Sequence, residues 1–163
     1  MEKYINNQKT RAAHKGHGFT ILEVIAVLII LGIITAIVVN RMSGNVVELL
    51  AQTDVIKSHL RYAQSRAMNS NIVWGIYFNN NGYWLYKNGN IADKVALPGE
   101  DSNDVFLPSG ISIGTFIVSF DIWGNPHTDA QALTVQVGTR TITVSDGVQN
   151  VSINITQNTG YIQ

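Results

Sequence analysis

The chain has 163 residues, and its 11 basic and 11 acidic side chains leave it formally neutral. This length accommodates one domain of modest size together with an anchor segment. The balance of charge argues against a general nucleic-acid binder, which would present a basic face. The chain also lacks cysteine, which excludes thiolate metal sites and a cysteine nucleophile.

A polar leader over residues 1–18 precedes a long apolar segment from Phe19 to Val39. As a helix, this segment would extend ~32 Å, about the hydrocarbon thickness of a bilayer. The leader has a net charge of +3, from Lys3, Lys9, Arg11 and Lys15 against Glu2. Positive charge before an apolar segment holds that end in the cytoplasm. We therefore expect a transmembrane helix over 19–39, with the rest of the chain outside the cytoplasm.

Glu23 is the one charged residue inside the apolar segment. A carboxylate within a bilayer costs about 2.5–3.5 kcal/mol on insertion scales, so it indicates a function. No Lys or Arg lies between Phe19 and Asn40 to pair with it. A plain signal anchor would explain the apolar segment but leaves Glu23 unexplained.

Residues 15–24, with Gly18, Phe19 and Glu23 in order, resemble the N-terminus of type IV prepilins and type II secretion pseudopilins. In that family a membrane-embedded prepilin peptidase cuts after the glycine and methylates the new N-terminal phenylalanine. The resemblance implies cleavage between Gly18 and Phe19, followed by N-methylation of Phe19. It also implies that Glu23 pairs with the freed amine of Phe19, on the same or a neighbouring subunit, and so sets the register of assembly.

A second helical pattern begins at Val46, where apolar and small side chains recur at a three-four spacing. The stripe comprises Val46, Leu49, Thr53, Ile56, Leu60, Ala63 and Ala67. It predicts an amphipathic helix with one buried face, widened by Leu50, with His59 beside the stripe at the surface. A coiled coil is the alternative, but small residues make a weak seam. We expect one long helix over about 19–69, either straight or with a flexible point at Ser43-Gly44.

Residues 70–163 are predicted to form a β-rich domain of two antiparallel sheets. The predicted strands are Ile72–Phe78, Tyr83–Tyr86, Val105–Leu107, Ile111–Ile113, Phe116–Ile122, Leu133–Val137, Thr141–Val144 and Val151–Ile155. Turns at 79–82 and 138–139 predict two hairpins, and residues 87–104 a polar loop. We interpret the aromatic residues of the first hairpin as a sheet surface against the helix, rather than a stacking platform for carbohydrate or single-stranded nucleic acid.

Two groups of polar residues could carry chemistry. The first is a set of carboxylates suited to calcium, formed by Asp93, Glu100, Asp101 and Asp104. Their spacing matches no tight metal loop and favours a solvated acidic loop. The second is Asp121, His127 and Asp129, which could support acid–base or metal chemistry. No serine motif or phosphate loop accompanies them, and Gly124-Asn125-Pro126 reads as a turn. We therefore predict no enzyme activity, metal or cofactor.

Residues 120–126 and the terminal Thr159-Gly160 resemble segments of the GspH/FimT group of pilin-like proteins. The resemblance implies an α+β, pilin-like fold, in which a long N-terminal helix, half transmembrane and half amphipathic, packs on a β-rich domain. The chain would divide into a cleaved leader (1–18), a transmembrane segment (19–39), an amphipathic continuation (40–69) and a periplasmic domain (70–163).

The function implied by this resemblance is that of a minor pseudopilin, a subunit of the type II secretion pseudopilus anchored once in the inner membrane. Such a subunit helps export folded proteins across the outer membrane, and its partners are prepilin peptidase and other pilins or pseudopilins through helix bundling. The alternative is a FimT-like minor type IV pilin in pilus assembly or DNA uptake. Residues 161–163 lack the basic charge that DNA contacts at this end would need, so nucleic-acid binding is not expected.

Overall fold

The computed structural model describes the backbone of residues 20–41 and 45–163, and the side chains of residues 20–35 and 46–163. The chain divides into two compact units, Met1–Met42 and Ser43–Gln163. The leader, Phe19 and the flexible point predicted at Ser43-Gly44 lie outside the described residues. The same is true of the predicted continuity of one long helix through this point.

The described part of the first unit is a helix, α1, which spans Ile21–Arg41. It occupies most of the range for which the sequence predicts a transmembrane helix. Within the described residues, no helix is both long and apolar enough to cross a membrane. Thr35 lies on α1, and its hydroxyl donates a hydrogen bond of 2.7 Å to the Leu31 carbonyl, which satisfies this polar group within the helix itself.

The second unit begins with α2, which spans Asn45–Ser70. The predicted stripe is confirmed, because its residues from Leu49 to Ala67 are all at most 1% exposed. Leu50 is 49% exposed, so its assignment to the buried face is wrong. The residue after Leu49 lies about 100° further around the helix, which carries Leu50 away from the core. On the outer side of the helix, Lys57 Nζ lies 3.6 Å from Asp54 Oδ1.

Nine strands follow α2. They are β1 Trp74–Asn79, β2 Gly82–Lys87, β3 Asn90–Val95, β4 Val105–Phe106, β5 Ser112–Ile113, β6 Phe116–Phe120, β7 Pro126–His127, β8 Arg140–Ser145 and β9 Asn150–Ile155. The larger sheet has the order β3-β2-β1-β6-β7, with β4 beside the start of β2, and the smaller sheet has the order β5-β8-β9. All pairs are antiparallel, which confirms the predicted α+β class.

The first predicted hairpin is confirmed, since β1 and β2 pair from Trp74↔Lys87 to Asn79↔Gly82. The polar loop predicted over 87–104 is wrong in its first half, because β3 forms there and pairs with β2. Asn88 and Gly89 join these strands with φ values of 57° and 67°. Positive φ at both central residues is the geometry of a tight hairpin turn that Asn-Gly favours. This dipeptide was the signal for β3.

The second predicted hairpin is wrong. Residues 133–137 form no strand, and Val135 makes an isolated bridge to His127. The hairpin instead joins β8 to β9, with Ile142 opposite Ile153 and Val144 opposite Val151. This pairing buries Ile142, Val144 and Ile153 on one face, whereas Leu133 and Val137 are exposed. The burial of apolar side chains therefore selects the more distant partner strand.

The core of the second unit lies between α2 and both sheets. The helix contacts β1 and β6 of the larger sheet and β8 and β9 of the smaller one. Aromatic residues of the first hairpin enter this core, since Trp74, Phe78 and Tyr83 are at most 3% exposed. The prediction that the aromatic residues of this hairpin pack against the helix is confirmed for these three residues.

Candidate functional site

The start of α1 is organised by Thr20. Its carbonyl oxygen accepts hydrogen bonds from the amides of Glu23 and Val24, at 3.1 and 3.2 Å. Its hydroxyl oxygen accepts a further bond of 3.3 Å from the Glu23 amide. Thr20 is therefore the N-cap of α1, and Glu23 is the third residue of the helix. A threonine three residues before a glutamate is a known helix-start signal that the sequence contained and our prediction did not use.

Glu23 lies in the first turn of α1, where a carboxylate is stabilised by the positive end of the helix dipole. It forms no ion pair within the described residues. Its neighbours are apolar, and Glu23 lines a groove of about 200 Å³ together with Val24, Val27 and Leu28. Glu23 is therefore a carboxylate set among apolar side chains in the described part of α1.

The apolar side chains of α1 are exposed around the whole helix. From Ile21 to Ile34 the large ones are between 47% and 83% exposed. A helix of a folded domain buries at least one apolar stripe, whereas α1 buries none among its described side chains. The helix thus presents an uncovered apolar surface on which Glu23 is the one charged group from residue 20 to residue 35.

Of the three residues that suggested acid–base chemistry, the structure brings only Asp121 and His127 together. His127 Nε2 lies 3.3 Å from Asp121 Oδ2, within a turn in which Asp121 also accepts bonds from the amides of Trp123 and Asn125. Burial raises the pKa of Asp121, but the bonds from Asn125, His127 and Trp123 outweigh it and lower that pKa overall. Asp121 therefore shapes the turn, which agrees with our interpretation of this segment.

Asp129 faces a different part of the chain. Its carboxylate accepts hydrogen bonds from the amides of Gln131, Leu133 and Thr134. Desolvation raises its pKa, but these amide bonds prevail and lower the pKa overall. Among the described residues no ion pair joins Asp129 to His127. The arrangement does not place a second carboxylate against the imidazole.

The carboxylates considered for calcium are also dispersed. Asp104 pairs with Lys94 at 2.5 Å and Asp93 lies 4.0 Å from Lys87, while Glu100 lies 4.0 Å from His59. In the part of the chain that the structure describes, no group of three or more His, Cys, Asp or Glu could hold a metal ion.

His59 is buried, at 4% exposure, so its placement at the surface is wrong. Its Nδ1 lies 2.9 Å from the Tyr83 hydroxyl and its Nε2 lies 3.3 Å from the Pro98 carbonyl. Burial lowers its pKa, against the opposing effects of the Pro98 carbonyl and the Glu100 carboxylate. Its burial could have been predicted from its spacing along the helix. His59 lies three residues after Ile56 and four before Ala63, on the same helix face as these two buried residues.

The turn at 121–125 and the C-terminal residues meet on α2. Gln64 Nε2 donates hydrogen bonds of 2.9 Å to the carbonyls of both Gly124 and Thr159. Arg61 donates a bond of 2.8 Å to the Ile162 carbonyl. The C-terminal residues and the turn at 121–125 are thus held together against the outer side of the helix.

Comparison with models of protein families matches residues 14–39 to the prokaryotic N-terminal methylation motif. This range contains Gly18, Phe19 and Glu23, and it ends before α2 and the sheets. No curated protein and no solved structure matches the chain. The motif is a type IV prepilin-like signal, and it indicates a type IV pilin-like precursor. It implies a prepilin peptidase substrate and assembly of the pilin type, which are properties of a structural protein rather than an enzyme.

Proposed function

We propose that the chain is a minor pseudopilin, a structural subunit of a type II secretion pseudopilus that helps export folded proteins across the outer membrane. The observation that carries the proposal is the exposure of α1, whose described apolar side chains remain uncovered on every face behind a prepilin-like signal. In this proposal the chain comprises a leader (1–18), a membrane segment (19–39), its amphipathic continuation (40–69) and a periplasmic domain (70–163).

An uncovered apolar helix is unfavourable in water, at about 25 cal/mol for each Å² of apolar surface. Two environments remove this cost for α1. The lipid of the inner membrane covers the helix before assembly, and the equivalent helices of neighbouring pilin-like subunits cover it in the filament. The apolar character of α1 on all sides supports both, because an amphipathic helix would keep one polar side.

Glu23 gives this assembly its register. Prepilin peptidase cuts between Gly18 and Phe19, and the freed amine of Phe19 is N-methylated. The amine of one subunit then pairs with the Glu23 carboxylate of a neighbour, which removes an unpaired charge from apolar surroundings. The apolar neighbours of Glu23 support this role, because a charge pair gains strength where water is excluded.

The proposal is tested in a deletion strain complemented with wild type, Glu23→Ala or Glu48→Ala. Glu48 is the matched control, because it is also an acidic residue in the first turn of a helix, on an exposed part of α2. We expect wild type and Glu48→Ala to restore secreted hydrolases in the medium, and Glu23→Ala to insert in the membrane but fail to restore them. Mass spectrometry of the mature protein should find N-methylated Phe19 at its N-terminus.

Two outcomes would contradict the proposal in different ways. A Glu23→Ala protein that assembles and secretes normally would remove the register role of Glu23. Loss of surface pili or DNA uptake in the deletion strain, with normal secretion, would instead identify a FimT-like minor type IV pilin.

A further inference from the structure

A cleft of about 440 Å³ lies between the turn of the first hairpin and the smaller sheet. Its volume falls within the range of small-molecule sites, about 300–1,000 Å³. The turn between β1 and β2 forms one side of the cleft, and the opposite side comes from β8 and from β5 with the glycine that follows it. The lining residues are Asn80, Asn81, Ser112, Ile113, Gly114, Thr143 and Ser145.

Hydrogen bonds join the two sides of the cleft. The Ile113 amide donates a bond of 3.4 Å to the Asn80 carbonyl, and the Thr115 hydroxyl donates a bond of 3.3 Å to Asn80 Oδ1. Within the turn, Asn79 Oδ1 accepts a bond of 3.0 Å from the Asn81 amide. The cleft therefore has its shape before a ligand enters, which lowers the entropy that binding costs.

The surroundings of the cleft carry no charge. The chain segments 70–86, 105–120 and 141–145, which supply its lining, contain no Asp, Glu, Lys, Arg or His. The charged residue next in sequence is Asp146, and its carboxylate accepts bonds from two amides of the turn between β8 and β9. An ionic ligand would lose its hydration here without gaining a counter-charge. The lining therefore favours an uncharged ligand.

The lining also offers polar groups that the protein itself does not use. The side-chain amide of Asn81 and the hydroxyl of Thr143 form no hydrogen bond with other described residues, and Asn80 uses its Oδ1 but not its Nδ2. Side-chain amides and hydroxyls both donate and accept hydrogen bonds. Neighbouring hydroxyls of a sugar ring also do both, so they complement this set of groups.

The mouth of the cleft has the same chemistry. Thr143 and Ser145 belong to the outer face of the smaller sheet, because the residues that alternate with them, Ile142 and Val144, are buried. The residues paired with this face of β8 are Asn150, Ser152 and Asn154 of β9. An uncharged, hydroxyl-bearing ligand thus meets only uncharged polar side chains as it approaches over this face.

We propose that this cleft binds a short neutral saccharide through the free groups of Asn80, Asn81 and Thr143. A peptide fits less well, because it would pair with the backbone of an edge strand. The edge strand here is β5, and its Ile113 amide is already bonded to Asn80. None of the lining residues is aromatic, so affinity depends on hydrogen bonds. The site lies within the second unit and is independent of the proposed role of α1.

A titration of the full-length chain followed by the NMR shifts of its backbone amides tests the proposal. The chain is held in dodecylphosphocholine, a detergent without a sugar head group. The probes are maltose, cellobiose and diacetylchitobiose, with digalacturonic acid as a charged probe and trialanine as a peptide. At least one of the three neutral disaccharides should shift the amides of residues 80–81, 112–114 and 143–145.

Thr143→Val removes the free hydroxyl and keeps the shape of the side chain, so it should weaken binding of that disaccharide about two- to tenfold. Thr141→Val is the matched control, because Thr141 is exposed on the same face of β8 but does not line the cleft. It should bind like wild type, and unchanged amide shifts elsewhere should show that both variants fold.

Three results would overturn the proposal. The first is that none of the neutral disaccharides shifts the amides of the cleft. The second is that Thr143→Val binds like wild type or that Thr141→Val loses as much affinity. The third is that digalacturonic acid or trialanine binds in the cleft more tightly than every neutral disaccharide.

Discussion

Gly160 is the position at which the structure makes the sharpest prediction for stability. Its φ is +59°, and a Cβ at this position would lie 2.6 Å from the Gly124 carbonyl oxygen and 2.5 Å from Gln64 Nε2. The glutamine side chain can move aside, but the Gly124 carbonyl belongs to the backbone of the turn at 121–125. Gly160→Ala therefore has to separate the C-terminal residues from that turn.

The expected cost has two parts. A residue with a Cβ in left-handed backbone conformation costs about 1–2 kcal/mol, and forced overpacking costs about 1–3 kcal/mol more. The total of about 2–5 kcal/mol is a large part of the stability of a typical domain, about 5–15 kcal/mol. With a urea slope of about 2 kcal/mol per M, the unfolding midpoint should fall by about 1–2.5 M.

Gly138→Ala is the matched control, because Gly138 has a φ of +70° but no heavy atom within 4 Å of its Cβ position. The Gly138→Ala variant loses stability only through the left-handed backbone conformation, so its urea midpoint should fall by about 0.5–1 M. Urea unfolding of both full-length variants in detergent, followed by circular dichroism, makes the comparison. Equal losses in the two variants would refute the close approach of Gly160 to the turn.

Two further predictions concern α2. Leu60→Ala should lower the free energy of unfolding by about 2–5 kcal/mol because Leu60 is fully buried. Leu50→Ala should change the free energy of unfolding by no more than about 0.5 kcal/mol. Similar urea midpoints for the two variants would contradict the burial of one helix face. The pKa of His59 is lowered in the folded protein, so stability should decline as pH falls below the ordinary value of 6.5 and through that lowered pKa. His59→Gln should flatten this part of the stability profile, and an unchanged profile would show that another group titrates there.

The helices and the first hairpin could be predicted from the sequence because their signals are local. The stripe on α2 repeats with the period of the helix, so the residues it aligns become buried together whatever lies against them. The hairpin of β1 and β2 requires strands separated by a two-residue turn, and both features are adjacent in the chain. The same holds for the N-terminal signal, which a short run of residues defines.

Two of the errors concern residues whose partners are distant in the sequence. The sequence pattern predicts that the strand from Thr141 pairs with the nearest alternating segment, residues 133–137. The structure pairs it with β9, which supplies Ile153 and Ile155 to the core. His59 was placed at the surface since its partners Tyr83 and Pro98 follow it by 24 and 39 residues. Sequence proximity says nothing about such partners.

By itself the sequence determined the prepilin-like start, the α+β class and the buried face of α2, because each depends on the order and period of neighbouring residues. Only the tertiary structure determined the hydrogen-bond partners of the polar side chains. It directed Asp121 to the amides of its own turn and Asp129 to the amides of residues 131, 133 and 134. The physical reason is that a hydrogen bond needs its two groups at one distance and angle in space, which the packing of distant segments sets.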